Sequence, residues 1–138
     1  MSEHGDRSEE QRYRIVGRSM FPLCHPFSAV VAQTAQCQIG DIAAYIGPRG
    51  GHLVFHRVIG LEPDQIITRG DTNRHEDPAV PRTALIGRVV RIELYGLGVN
   101  LPSSGPLAVA QRRAGLAWGR AAPRLRGWLR RLRPRRKV

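Results

Sequence analysis

The chain has 138 residues, with 22 lysines and arginines against 11 aspartates and glutamates, 2 cysteines and a formal net charge of +11. That length suits one domain with a modest core. Two cysteines outside any metal-ligand spacing argue against zinc, and no apolar run approaches the ~18 residues of a membrane span.

The charge is unevenly placed. Up to Gly105, eleven arginines meet eleven carboxylates; from Pro106 onward eleven basic residues meet none, so the last quarter reads as a module with its own partner. Only one residue in the whole chain is a lysine, Lys137. Catalysis through any other lysine amine is therefore excluded.

Residues 1–10 are polar and mildly acidic, the reverse of a secretory signal, and are expected to form a disordered leader. Neither a span nor an export signal is expected. "YRIVG" (13–17), "FSAVVAQ" (27–33) and "GDIAAYIG" (40–47) read as short strands bounded by glycine or proline. "HLVFHRVIGLE" (52–62) is a longer strand, with Leu53, Phe55, Arg57 and Ile59 on one face and Val54, His56 and Val58 on the other. "QIITRG" (65–70) follows a Pro-Asp turn and is expected to pair back as a hairpin. "GDTNRHEDPAVPR" (70–82) is rich in turn formers, and "ALIGRVVRIELYGLG" (84–98) reads as one closing β run. A small, mainly β domain is predicted over 11–97.

Residues 98–138 form a basic amphipathic tail. Leu125, Trp128, Leu129 and Leu132 fall at i, i+3, i+4 and i+7, one helix face, with arginines over the rest. Pro123 is expected to break the segment into two short helices. Such a tail suits the surface of an anionic bilayer, non-specific nucleic-acid binding, or a disordered solubilising role. The tryptophan and the clean apolar face favour a peripheral membrane contact over nucleic acid. Without an export signal, that contact would leave the domain on the cytoplasmic side.

Three places in the β domain can carry chemistry: Ser19, His56 and the loop carboxylates Asp71 and Asp77. Singly, each has an ordinary structural explanation, as a turn residue, a half-buried strand histidine and turn-capping aspartates. Together they are the ingredients of acyl transfer. A serine hydroxyl needs a base, imidazole suits that role near neutral pH, and a carboxylate on the far ring nitrogen holds the tautomer. Spacing alone does not require that they meet. Cys24 and Cys37 can pair or remain two unpaired thiols, and the second is favoured.

The motifs carry a resemblance. "GRSMFPL" (17–23) resembles the Ser-Met-x-Pro box of type I signal peptidases and of the related self-cleaving LexA-like peptidases. In the family's order, "GDIAAYI" is similar to its Gly-Asp-hydrophobic strand, "HRVIG" to its second catalytic box, and "TRGDTNRHED" to its Gly-Asp-x-Asn…Asp box. "LIGRVVRI" is similar to the strand that follows, so the likeness spans about 17–92. It implies a coiled β-sheet peptidase domain and the subtype of the endoplasmic-reticulum and archaeal enzymes, in which histidine replaces lysine as base. The lack of an available lysine agrees independently.

By this resemblance Ser19 is the nucleophile, His56 the base, Asp77 the carboxylate that orients it, and Asp71 the nearby Gly-Asp carboxylate. Met20, Phe21 and Leu23 would floor shallow pockets for small side chains of an extended peptide. The implied activity is serine endopeptidase cleavage of a leader or signal segment after a small residue, with no cofactor or metal. Two other readings remain: a non-catalytic peptide-binding or membrane-surface module, and a self-cleaving LexA-like regulator. Against the regulator stand the missing lysine base and the lack of a helix-turn-helix before Ser19.

Overall fold

A computed structural model describes residues 9–15, 27–34, 36–48, 50–94 and 96–132. Among these residues eight strands and one long helix follow each other: β1 (Glu10–Ile15), β2 (Phe27–Gln33), β3 (Ile42–Ile46), β4 (Leu53–Leu61), β5 (Gln65–Arg69), β6 (Val80–Pro81), β7 (Leu85–Leu94), β8 (Leu97–Asn100) and α1 (Pro106–Arg131). All strand pairs are antiparallel, in the order β1-β2-β7-β3-β4-β5-β6, with β8 added to β7. The protein is mainly β, a curled half-barrel sheet with one C-terminal helix.

The curl has local causes. Register slips at Val30/Val31, Ala44/Tyr45 and Val58/Gly60 each add a residue to one strand and sharpen its twist. The strand interiors are β-branched or small residues that alternate between two faces. Ala29, Val31, Ile42, Ala44, Phe55, Val89 and Ile92 pack on one face; Cys37, Ala43, Tyr45, Val58, Ile66 and Val80 pack on the other. The neighbours Ala43 and Ala44 thus belong to opposite cores, as the two-residue side-chain period demands. Along β4 the same alternation sends Phe55 to the first core and Val58 to the second.

Two expectations are corrected. The closing run at 84–98 is a hairpin, because Gly96 takes φ 77° and turns β8 back on β7, pairing Leu94 with Leu97. The tail is one unbroken helix from Pro106 to Arg131, not two halves, although Pro123 lies inside it. A proline has no N–H for the carbonyl four residues earlier, here that of Gly119. Arg69 Nη2 donates to that carbonyl instead, at 2.9 Å, so the gap in the ladder is filled from β5.

The helix is docked on the domain. Arg112 Nε donates to Asp41 Oδ1 at 2.9 Å, Gln111 Nε2 to the Asn100 carbonyl at 2.9 Å, and Ala108, Gly119 and Ala122 are buried. A methyl at Gly115 would overlap the Arg57 guanidinium. One at Gly119 would stand 3.1 Å from Arg69 Nη2 and 3.4 Å from Asp71 Oδ1. The two glycines, one turn apart, let the helix lie directly on these charged side chains. Among the described residues no helix is long and apolar enough to cross a membrane.

Candidate active site

His56 stands near the middle of β4, opposite Ala43 of β3 and half-buried. Strand alternation turns it to the face of Tyr45 and Val58. Asp77 comes from the loop after β5, and its backbone N–H donates to the Thr68 carbonyl at 2.9 Å, which ties the loop back to the strand it left. The outcome is a contact between His56 Nδ1 and Asp77 Oδ2 of 2.5 Å.

Two hydroxyls converge on the same carboxylate oxygen. Thr68 Oγ1 donates to Asp77 Oδ2 at 2.8 Å, and the Tyr45 hydroxyl reaches it at 3.1 Å. Tyr45 and Thr68 also lie 2.9 Å apart, both essentially excluded from solvent. Each hydroxyl has one proton. With the Thr68 proton on Asp77, the Tyr45 proton is shared between Thr68 Oγ1 and Asp77.

Electrostatics follows from this cage. Burial pushes the Asp77 carboxyl up, but the His56 hydrogen bond and charge, then the Thr68 and Tyr45 hydroxyls, outweigh it and hold the group below its ordinary value. Burial raises the Tyr45 phenol, against the Thr68 hydrogen bond and with the Asp77 carboxylate adding to the rise, so Tyr45 stays a protonated donor. An ionised Asp77 accepts from Nδ1–H of the ring. The neutral imidazole is then the tautomer whose lone pair is on Nε2, the form a general base requires.

Asp71 is used differently. It grips Arg57 by both oxygens, Nε to Oδ1 at 2.8 Å and Nη2 to Oδ2 at 2.7 Å, and Arg57 Nη1 also donates to the Gly40 carbonyl at 2.9 Å. Both side chains are buried beneath Gly115 and Gly119 of α1. Residues 56 and 57 project to opposite faces of β4, so the loop that follows β5 holds the strand from both sides: through Asp71 on the helix side and Asp77 on the histidine side.

Ser19, Met20, Phe21 and Leu23 lie outside the described residues. The structure thus brings together His56 and Asp77 and gives Asp71 to Arg57. Cys37 is a free thiol in the second core, and burial first, then the nearby Asp41, push it up to about 11; Cys24 lies outside the described residues. Among the described residues no cluster of three or more His, Cys, Asp or Glu side chains could hold a metal ion.

Tyr45 and Thr68 were missed by sequence reasoning. Each is a lone hydroxyl in an apolar strand, "IAAYI" and "QIITR". A buried hydroxyl needs a partner, and that need was the available signal. Comparisons with models of protein families, with curated proteins and with solved structures found no match.

Proposed function

We propose that the chain is a serine endopeptidase of the signal-peptidase type, histidine-base subtype, which cuts a leader or signal segment after a small residue. The observation that carries this reading is the His56–Asp77 pair at 2.5 Å, with Thr68 and Tyr45 closing on the same carboxylate oxygen. Ser19 enters through the motif "GRSMFPL", which in this family supplies the nucleophile.

In the proposed reaction Ser19 Oγ attacks the scissile carbonyl carbon while His56 Nε2 takes the hydroxyl proton. The Ser19 backbone N–H and a second donor hold the oxyanion, a contact whose loss costs ~3–4 kcal/mol in serine proteases. The imidazolium, stabilised by Asp77, then gives its proton to the leaving amine, and an acyl-enzyme forms as the peptide bond breaks. Water attacks the ester with His56 again as base, releasing the carboxylate product and restoring Ser19. Asp71 and Arg57 act at a distance, by holding the loop that carries Asp77.

We further place the enzyme at the surface of an anionic membrane, peripherally, through residues 106–138. Supporting this, Leu125, Trp128 and Leu129 on α1 and Leu132 just past its end remain exposed, with exposed Arg124, Arg126, Arg130 and Arg131 around them. Flotation with anionic vesicles tests the placement; a protein that stays at the bottom of the gradient contradicts it.

The test of the activity is incubation of wild type and Ser19→Ala with leader-like peptides, with and without anionic vesicles. Cuts after small residues that depend on Ser19 are expected. Peptide binding without cleavage by either protein favours the non-catalytic module. A mass spectrum showing that the purified chain has cut itself favours the LexA-like regulator.

A further inference from the structure

The loop that carries Asp77 also faces the distal half of α1 across a cavity of about 370 Å3. Asn73, Arg74 and His75 line it from the loop, and Arg126, Gly127 and Arg130 from the helix. Among the described residues no carboxylate lines it. Among the described residues, Arg12, Arg57, Arg91 and Arg112 are each paired with an acid, whereas Arg74, Arg126 and Arg130 make no ion pair. Arg69, Arg82 and Arg88 carry no ion pair either, but they donate to the carbonyls of Gly119, Glu62 and Leu101; among the described residues Arg74, Arg126 and Arg130 do neither.

Such an arrangement costs stability by itself. Arg126 and Arg130 are one helical turn apart on one face, where like charges repel by roughly 0.2–0.5 kcal/mol, and Arg74 adds a third cation from across the gap. Gly127 leaves room for the close approach of Arg74: a methyl there would sit 3.2 Å from Arg74 Nη2 and push the guanidinium back by a few tenths of an ångström. An anion in the cavity adds an attraction to each of the three cations that offsets their mutual repulsion. Guanidinium groups offer paired N–H donors that match two oxygens of a phosphate, and Asn73 and His75 can supply more hydrogen bonds at the wall.

We infer that this cavity is a phosphate site, in which Arg74, Arg126 and Arg130 bind a terminal phosphate group carried by a lipid headgroup or by a soluble compound. The inference is independent of the peptidase reading, because it rests on charge and shape at the loop–helix gap and is tested without any peptide.

Two probes separate the sources: inorganic pyrophosphate by titration calorimetry, and sedimentation with phosphatidylcholine vesicles containing phosphatidic acid. Two triple variants of equal net charge are compared with wild type. One carries Arg74→Gln, Arg126→Gln and Arg130→Gln; the other carries Arg14→Gln, Arg113→Gln and Arg120→Gln, away from the cavity and from the exposed apolar face of the helix. All six side chains are exposed, so the fold should survive, and thermal melts verify it. The single Arg126→Gln variant is run alongside, to give the same comparison with the least disturbance.

Saturable binding of either probe that falls about tenfold or more in the cavity triple, yet less than about twofold in the control triple, supports the site. Pyrophosphate binding identifies a soluble ligand, and vesicle binding alone a headgroup. Equal losses in the two triples, or no binding of either probe to wild type, overturns it.

Discussion

Asp71 holds Arg57 by both carboxylate oxygens, one residue along β4 from His56. This buried pair sits under the glycine face of α1 and anchors the start of the loop whose other end presents Asp77. Removing one partner leaves an uncompensated buried charge, which costs ~3–5 kcal/mol. Asp71→Asn should therefore lower the urea unfolding free energy by about 3 kcal/mol or more. The Arg57→Leu/Asp71→Leu double variant should lose clearly less than the sum of the single changes. Additive losses would show that the pair is not coupled.

Asp77→Asn should leave the strands intact and damage turnover. The amide can present an N–H to the ring and favour the wrong tautomer. In a triad of this kind that change lowers the catalytic rate by about 10⁴-fold. The expected result here is a fall of about 10³–10⁴ in kcat/KM on a leader peptide, with the thermal melt shifted far less than for Asp71→Asn. Retention of full activity would remove Asp77 from the chemistry.

The same carboxylate makes stability depend on acid. Its folded-state affinity for protons is below that of the unfolded chain, where the carboxyl titrates near ~3.9. The native state is then ionised while the unfolded state is protonated, so Asp77 contributes fully above that ordinary value and its contribution is lost as pH falls below it. Urea unfolding from pH 6 down to pH 2.5 should show a shallower acid loss in Asp77→Asn than in wild type. Parallel curves would mean that Asp77 is not held ionised by its neighbours.

Pro123→Ala tests the repaired helix. In an ordinary helix interior the change should stabilise by ~3 kcal/mol. Here Arg69 already satisfies the Gly119 carbonyl, so the restored N–H adds a second bond to it rather than filling a vacancy, and the gain should be under about 1 kcal/mol in a thermal melt. Adding Arg69→Ala should release the larger gain. A full gain from Pro123→Ala alone would show that the Arg69 bond contributes little.

Much of this architecture was written locally. The alternation in "HLVFHRVIGLE" placed His56 and Val58 on one face and Phe55 on the other, because a strand has a period of two and each face has its own core. The turn formers of 70–82 marked the loop that bears Asp71 and Asp77. What local pattern could not supply was register across strands. Tyr45, His56 and Thr68 meet because β4 lies between β3 and β5 with Ala43 against His56 and Val58 against Thr68. The uninterrupted helix is likewise a distant effect: Pro123 breaks helices locally, and the donor that compensates comes from Arg69, in another element. The hairpin at Gly96 was hidden because both of its arms are β-forming, and only the left-handed glycine between them separates one strand from two.

The central claim is that His56, oriented by Asp77, activates the hydroxyl of Ser19. A fluorophosphonate probe, which esterifies only an activated serine, tests it most directly through mass spectrometry of the labelled peptide. The claim predicts labelling on the peptide that contains Ser19, slowed by about 10³-fold or more in His56→Ala and strongly in Asp77→Asn. No adduct on Ser19 in wild type, or the same rate in wild type and His56→Ala, contradicts it.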